Sequence, residues 1–308
     1  MNEITFRAMG SEIYCAVDSK HRRVKERLER VPAMFEAWEK TLSRFRADSE
    51  LSQLNSRSGE SVRVSDTLWR VLQWAQRAQE WSDGLVTPLV LNALEAAGYT
   101  HSFHAAQNNS ALTNAYPPQG NAVNPLPRWE MNSTTHSIRV EPGARLDLGG
   151  VAKGWAAEQT AQYLGEVGAT MVDAGGDMVM HASPRWEGAW YVGIENPFAP
   201  DDDAGPVLQI TRGAVATSGR DYRKWTRDGV PAHHLIDPRT NLPAVTDVLT
   251  ATVIAPTILQ AEVAAKVTLL LGSGQALAWL QSQRELAARL ILENREIVMT
   301  QEMEKFLV

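Results

Sequence analysis

Apolar residues recur between positions 19 and 45 at spacings of three, four and seven: Val24, Leu28, Val31, Met34, Phe35, Trp38 and Leu42. That period lays them on one face and predicts a single long amphipathic helix, with Pro32 as the point where it would bend. Residues 65–81 repeat the pattern through Leu68, Val71, Leu72, Trp74 and Ala75 behind Ser65 and Asp66, which predicts a second, capped helix. From residue 137 onward SIRVE, TMVDAG, DMVMHA, WYVGIE, VLQITRG and TATVIA, each an apolar run between turn residues, predict short strands. Residues 151–164 and 257–271 predict helices, and the tail ARLILENREIVMTQEM predicts a hairpin turning near Asn294. This mixed order argues for an α+β fold over strict βαβ alternation. Residues 101–128 are rich in Asn, Ser, Pro and Gly without a period and predict a surface loop. No internal repeat is visible.

Composition narrows the function classes. A chain of 308 residues, 44% hydrophobic and with net charge -6, suits one large or two small domains with a sizeable core. Charges of both signs are interspersed with no long basic block, which argues against nucleic acid and leaves a small molecule or a protein as partner. Cys15 is the only cysteine, so neither a disulfide framework nor a multi-cysteine zinc site can form, and its neighbours Tyr14, Ala16 and Val17 mark a buried strand residue. No apolar run approaches the ~18 residues of a membrane span, and MNEITFRAMGSE lacks the basic and apolar regions of a signal peptide. The expectation is a cytoplasmic protein without a transmembrane segment.

One stretch invites chemistry. In LDLGGVAKGWAAEQTAQYL, residues 146–164, two glycines precede a helix, where backbone N–H groups can approach an anion. Lys153 falls in the first turn and opposes the helix dipole, a conflict that a bound phosphate or carboxylate would relieve. The spacing matches neither a P-loop nor a dinucleotide fingerprint, and a tight turn explains the glycines equally well. Asp147 would repel a phosphate unless it served a sugar hydroxyl, a ring N–H or a metal. VDAGGDMVM and GAVATSGRDYRKW, taken singly, read as turn chemistry. In HHLIDPRTNLPA the adjacent His233 and His234 diverge on an extended chain, which argues against a shared metal.

Taken in order, AMGSE, LSRFRADSELSQLN, DGLVTP with LNALEAAGY, LDLGGVAKGWAAE, VDAGGDM, VATSGRDYRKW, HHLIDPRTNLPA and VIAPTILQAEVAAKVTLLLG cover residues 5–272 and resemble the FAD:protein FMN transferases of the ApbE type. The resemblance implies a single two-lobed α+β unit over 1–308, with mixed and antiparallel sheets flanked by helices and FAD bound between the lobes. It implies cleavage of FAD and attachment of FMN through a phosphoester to a threonine of a target flavoprotein, with release of AMP. By the same resemblance Asp147 meets a polar edge of the flavin or its sugar chain, and Lys153 meets the pyrophosphate. Met9 and Phe45 line the flavin, where their residue types alone would suggest core packing, and Leu85, Val86, Thr87 and Leu235 lie in further flavin-contacting segments. Lys153 is also a catalytic candidate. The base that takes the threonine proton is not evident, and His234 and Asp237 are the candidates for it.

The metal block departs from the family pattern. The resemblance puts the carbonyl of Gly150 and a helix bearing an aspartate, often a second acid and a threonine around Mg²⁺; here that helix carries Glu262, Ala265 and Lys266. Two of the three positions lack an oxygen ligand, so Mg²⁺ is in doubt. The expectation is that the Lys266 ammonium stands where the ion would, with Glu262 orienting it or holding a weakly bound ion. The plain alternative is a surface ion pair at i,i+4. An incomplete metal site also keeps open a flavin-binding protein or an FAD pyrophosphatase on the same fold.

Overall fold

Strands β1 (Asn2–Ala8) and β2 (Ser11–Asp18) open the chain as a hairpin whose two loop residues, Met9 and Gly10, both have positive φ, 50° and 69°. That turn matches the twist of the strands it joins, and it forces Met9 into a region that costs a residue with a Cβ roughly 1–2 kcal/mol. The computed structural model describes residues 1–101, 127–184, 186–199, 205–227 and 230–308. The loop expected at 101–128 therefore lies outside the described residues except for His101, Pro127 and Arg128. The described chain divides into two compact units, residues 1–35, 153–221 and 246–308 in the first and residues 36–152 and 222–245 in the second. Helix α1 (Val24–Leu42) runs from one into the other and passes Pro32 without a break.

In the first unit β1 and β2 continue into β6 (Ala169–Ala174), β7 (Met178–His181), β10 (Gly213–Gly219), β15 (Val248–Ala255), β16 (Ala287–Leu292) and β17 (Ile297–Met299). They form one eight-stranded sheet in that order, every neighbouring pair antiparallel. Cys15 is buried on β2, and burial pushes its thiol up to about 12, as a plain core residue requires. One sheet face is covered by the hairpin of β8 (Trp190–Gly193) and β9 (Val207–Ile210), whose Trp190, Val192, Leu208 and Ile210 cluster with Val215, Ile254, Ala287 and Met303.

Helix α6 (Ile258–Ser282) packs on β10, β15 and β16. Its apolar run is long enough to cross a membrane, yet in this unit it is a core helix, with Ala261, Val263, Ala264, Ala265, Val267 and Leu269 fully buried. The sequence places its end at residue 271, and a break does fall there: Gly272 has φ 75° and ψ 164°, after which the helix resumes. Asp247 starts the second piece, accepting from the backbone N–H of Ser273 at 2.9 Å and from its hydroxyl. Helix α5 (Ala152–Gly165) follows the glycine pair of the motif.

The second unit holds α2 (Glu50–Asn55), α3 (Asp66–Trp81) and α4 (Leu91–Ala96). Ser65 caps α3 through Leu68 N–H at 3.3 Å, and Leu68, Val71, Leu72 and Ala75 are buried as their spacing predicts. A three-stranded antiparallel sheet orders β3 (Ser61–Arg63), β5 (Ser137–Val140) and β4 (Trp129–Asn132). Two short pairs complete it, β11 (Lys224–Arg227) with β12 (Val230–His233) and β13 (Ile236–Asp237) with β14 (Leu242–Pro243).

The Asp247 cap yields a stability prediction. The Ser273 hydroxyl and N–H hold its carboxyl below the usual carboxylate range, so its contribution is present above the unfolded value and lost as pH falls through the folded one. Asp247→Ala is expected to cost about 1 kcal/mol in urea unfolding at pH 7. The gap to wild type should close as the pH is lowered below the carboxylate range.

Candidate active site

Lys153 sits in the first turn of α5, and its ammonium donates to the Asp177 carboxylate and to the carbonyl of Ala174 at 3.1 Å. Ala174 ends β6, and the two glycines of VDAGGD reverse the chain to bring Asp177 back beneath the lysine. Both have positive φ, 70° at Gly175 and 91° at Gly176, and a Cβ on Gly175 would lie 2.6 Å from Ser11 Oγ, so glycine is required there. Gly176 N–H also donates to Asp173 at 2.7 Å, while burial pushes the Asp173 carboxyl up. Asp177 thus supplies the negative charge that a lysine at a helix N-terminus lacks, and the protein itself relieves the conflict with the dipole.

Glu262 completes this cluster from α6. Its side chain is 1% exposed and is packed so tightly on α5 that a Cβ at Gly154 would lie 2.3 Å from Oε2. Oε2 has no hydrogen-bond partner among the described residues. Burial, and then the nearby Asp177 charge, push the carboxyl up to about 8, against the pull of the Lys266 and Lys153 ammoniums. Lys266 Nζ donates to the backbone carbonyl of Glu262 at 3.3 Å, which replaces the surface ion pair considered from spacing alone.

These residues do not fit a divalent cation. Among the described residues no group of three or more His, Cys, Asp or Glu side chains could hold a metal ion. Around Glu262 the side chains are one buried carboxyl, an aspartate already bound to an ammonium, and a second ammonium, where Mg²⁺ asks for several oxygen ligands. Gly150 belongs to the second unit, in the turn where the N–H groups of Val151 and Ala152 both donate to Leu148 O.

In the second unit Asp147 is held by Arg44, with Nε to Oδ2 at 2.7 Å and both side chains largely buried. Its other oxygen accepts from Gly149 N–H at 2.9 Å. The same guanidinium donates to Tyr99 O at 2.9 Å and stands 4.1 Å from the ring centre of Phe45 and 4.7 Å from that of Tyr99. Tyr99 meets Phe45 edge-on at 5.8 Å and stacks on Trp225 at 5.5 Å, and Trp225 is fixed by its indole N–H to Ala97 O at 2.8 Å. Phe45 is 43% exposed, so core packing does not explain it. An aromatic face braced from behind by an arginine is a surface on which a planar ring can lie. Arg44, Tyr99 and Trp225 were not singled out from sequence, although each lies inside a motif that was; only the fold shows that they converge.

The remaining candidates take varied places. Thr87 is buried, donating to Gln79 Oε1 at 3.1 Å and accepting from Leu89 N–H at 3.3 Å; Val86 is buried and Leu85 half-buried beside it. Leu235 is buried, and its N–H donates to His233 Nδ1 at 3.3 Å, so the contact of His233 Nε2 with Ala244 O at 3.0 Å is a donation. His234 is half-buried. Asp237 is gripped by Arg239 through Nε at 2.9 Å and Nη2 at 2.8 Å. Met9 stays at the tip of the first hairpin, in the first unit.

The buried acid predicts a pH effect. Its folded pKa exceeds the ordinary value of 4.5, so folding takes up a proton between 4.5 and about 8, and stability declines across that window as pH rises. Glu262→Gln should abolish the decline. Thermal melts from pH 5 to 9 are expected to show the variant gaining on wild type with pH, by about 2–4 °C or more at the upper end.

The ApbE family profile matches residues 9–290. Among curated proteins, the FAD:protein FMN transferase of Treponema pallidum is 29% identical over 284 residues, 88% of this chain and 78% of its own. That of Klebsiella pneumoniae is 27% identical over 300 residues, 95% of this chain and 89% of its own. Among solved structures, the ApbE protein of Thermotoga maritima superposes with a TM-score of 0.86 at 24% identity, covering 99% of this chain and 98% of its own. The flavin transferase ApbE of Vibrio cholerae gives 0.80 at 21% identity over 99% of each chain. With most of its length matched by the family, this chain is a member of the ApbE family.

Proposed function

We propose that this chain is an FAD:protein FMN transferase. The observation that carries the reading is the match, over most of the chain, to proteins of that name, and the rings braced by Arg44 support it. In the reaction a threonine oxygen of the target flavoprotein bonds to the phosphorus of the FMN half of FAD, and the bond from that phosphorus to the bridging oxygen breaks. AMP leaves with that oxygen, and the hydroxyl proton passes to a base, for which His234 and Asp237, the latter paired with Arg239, are the candidates.

In this reading the exposed face of Phe45 receives the flavin ring, and the Lys153 and Lys266 ammoniums offset charge on the phosphates. A fixed ammonium carries one charge and cannot bridge several oxygens as Mg²⁺ does, so transfer should be slow and nearly independent of Mg²⁺. The same donor set favours the second reading, flavin binding or FAD hydrolysis without transfer, because phosphoryl transfer depends more on that charge than ring binding does.

Incubation with FAD and a threonine-bearing flavoprotein, with and without EDTA, separates the two by mass spectrometry. The transferase reading expects the target to gain one FMN in both conditions, with AMP released. FMN and AMP free in solution, with no gain on the target, would replace it with hydrolysis. Phe45→Ala is expected to weaken FAD binding by about 1–2 kcal/mol in a fluorescence titration while the fold persists. Lys153→Ala is a poorer probe, since leaving Asp177 buried without its partner would itself cost about 3–5 kcal/mol of stability.

A further inference from the structure

Arg44 lies just beyond the end of α1, in the turn that also presents Phe45. Ser43 fixes that turn, its hydroxyl oxygen accepting from Phe45 N–H at 3.3 Å. Arg46, in the same segment, meets Glu36 and Asp48 at the surface. Arg44 instead has a side chain only 6% exposed, and its ion pair with Asp147, 12% exposed, is taken almost wholly out of water. Asp147 is fixed in turn, because Gly149 N–H holds Oδ1 and a Cβ at Gly149 would lie 3.0 Å from that oxygen.

Stability does not call for such a pair. Desolvating two charges costs about what their attraction returns, so a neutral pair of similar volume would fold as well. What the pair supplies is geometry. Asp147 and the Tyr99 carbonyl grip the guanidinium at its edge and so set it against two rings, 4.1 Å from the centre of Phe45 and 4.7 Å from that of Tyr99. The two rings meet at 71°, and the guanidinium fills the corner between them. Tyr99 is backed in turn by Trp225, stacked at 23°. Phe45 is thereby held in one orientation although it is exposed, where a ring on a surface turn would otherwise be free to change rotamer.

We infer that Arg44 is the positioning residue for recognition of the flavin ring, and that Asp147 acts on the ring through Arg44 rather than by touching it. The inference rests on the transferase reading only for the identity of the ring. It departs from the role the resemblance implies for Asp147, a direct contact with a polar edge of the flavin, because both carboxylate oxygens are already engaged within the protein. A surface fixed in advance spares the entropy of ordering it on binding, so the benefit falls on affinity for the ring and not on contacts with phosphate.

Titration of FAD and of riboflavin, which has the ring without phosphate, tests it, followed by flavin fluorescence and by the visible absorbance of the bound ring. The double variant Arg44→Met with Asp147→Asn removes both charges and should melt near wild type. It should nevertheless bind both flavins more weakly by the same factor, about tenfold. Arg44→Lys keeps a charge for Asp147 but loses the flat face, so it should fold and show a similar loss, which covers a double variant that does not fold. Asp147→Asn should weaken binding on its own and add nothing once Arg44 is methionine. Wild-type affinity for both flavins in the double variant or in Arg44→Lys would overturn this inference alone, as would additive losses from the two single substitutions or a loss confined to FAD. A wild type that binds neither flavin would remove the transferase reading along with it.

Discussion

The ion pair between Lys153 and Asp177 organises the first unit around a helix start. It places an ammonium in the first turn of α5, where the dipole disfavours it, and it holds that ammonium with a carboxylate delivered by the β6–β7 turn. The turn can deliver it only because Gly175 and Gly176 take up positive φ and Gly175 lies against Ser11. Glu262 then packs beside the pair against Gly154, which has no Cβ to block it. With Oε2 buried and the Asp177 charge nearby, the carboxyl of the second acid is pushed up. Two ammoniums, Lys153 and Lys266, thus stand in this cluster, and positive charge suits a phosphate.

The second unit is built on different physics. Arg44 joins an electrostatic task, holding Asp147, to a packing task, bracing Phe45 and Tyr99 from behind. Its guanidinium can serve both because the edge donates hydrogen bonds while the face lies on rings. Loss of that one side chain would release Asp147 and the aromatic surface together.

Much of this was legible in the sequence, and the failures have physical causes. Periodicity located α1, α3 and the strands because each has one face to bury, as Leu68, Val71 and Leu72 do on α3. It stopped α6 at residue 271 because Gly272 breaks the backbone there, but local pattern could not show that Asp247, far earlier in the chain, starts the helix again. The motif around Lys153 was visible as an oddity of charge. Its partner Asp177 lies in another motif, and only strand pairing joins them. Spacing left a surface pair at i,i+4 open for Glu262 and Lys266 as the plain alternative, and burial removes it, since the carboxyl faces Gly154 and the ammonium turns to a backbone carbonyl. Arg44, Tyr99 and Trp225 carry no spacing that marks them, because their contact depends on a chain reversal between distant segments.

The central claim is that protein ammoniums, without a metal, supply the positive charge for the FAD pyrophosphate. Calorimetry with FAD and with FMN, each in EDTA and in Mg²⁺, tests it most directly. The account predicts tighter binding of FAD than of FMN, by the same ratio in both buffers. Equal affinity for the two flavins in EDTA, with a preference for FAD that emerges only when Mg²⁺ is added, would contradict it.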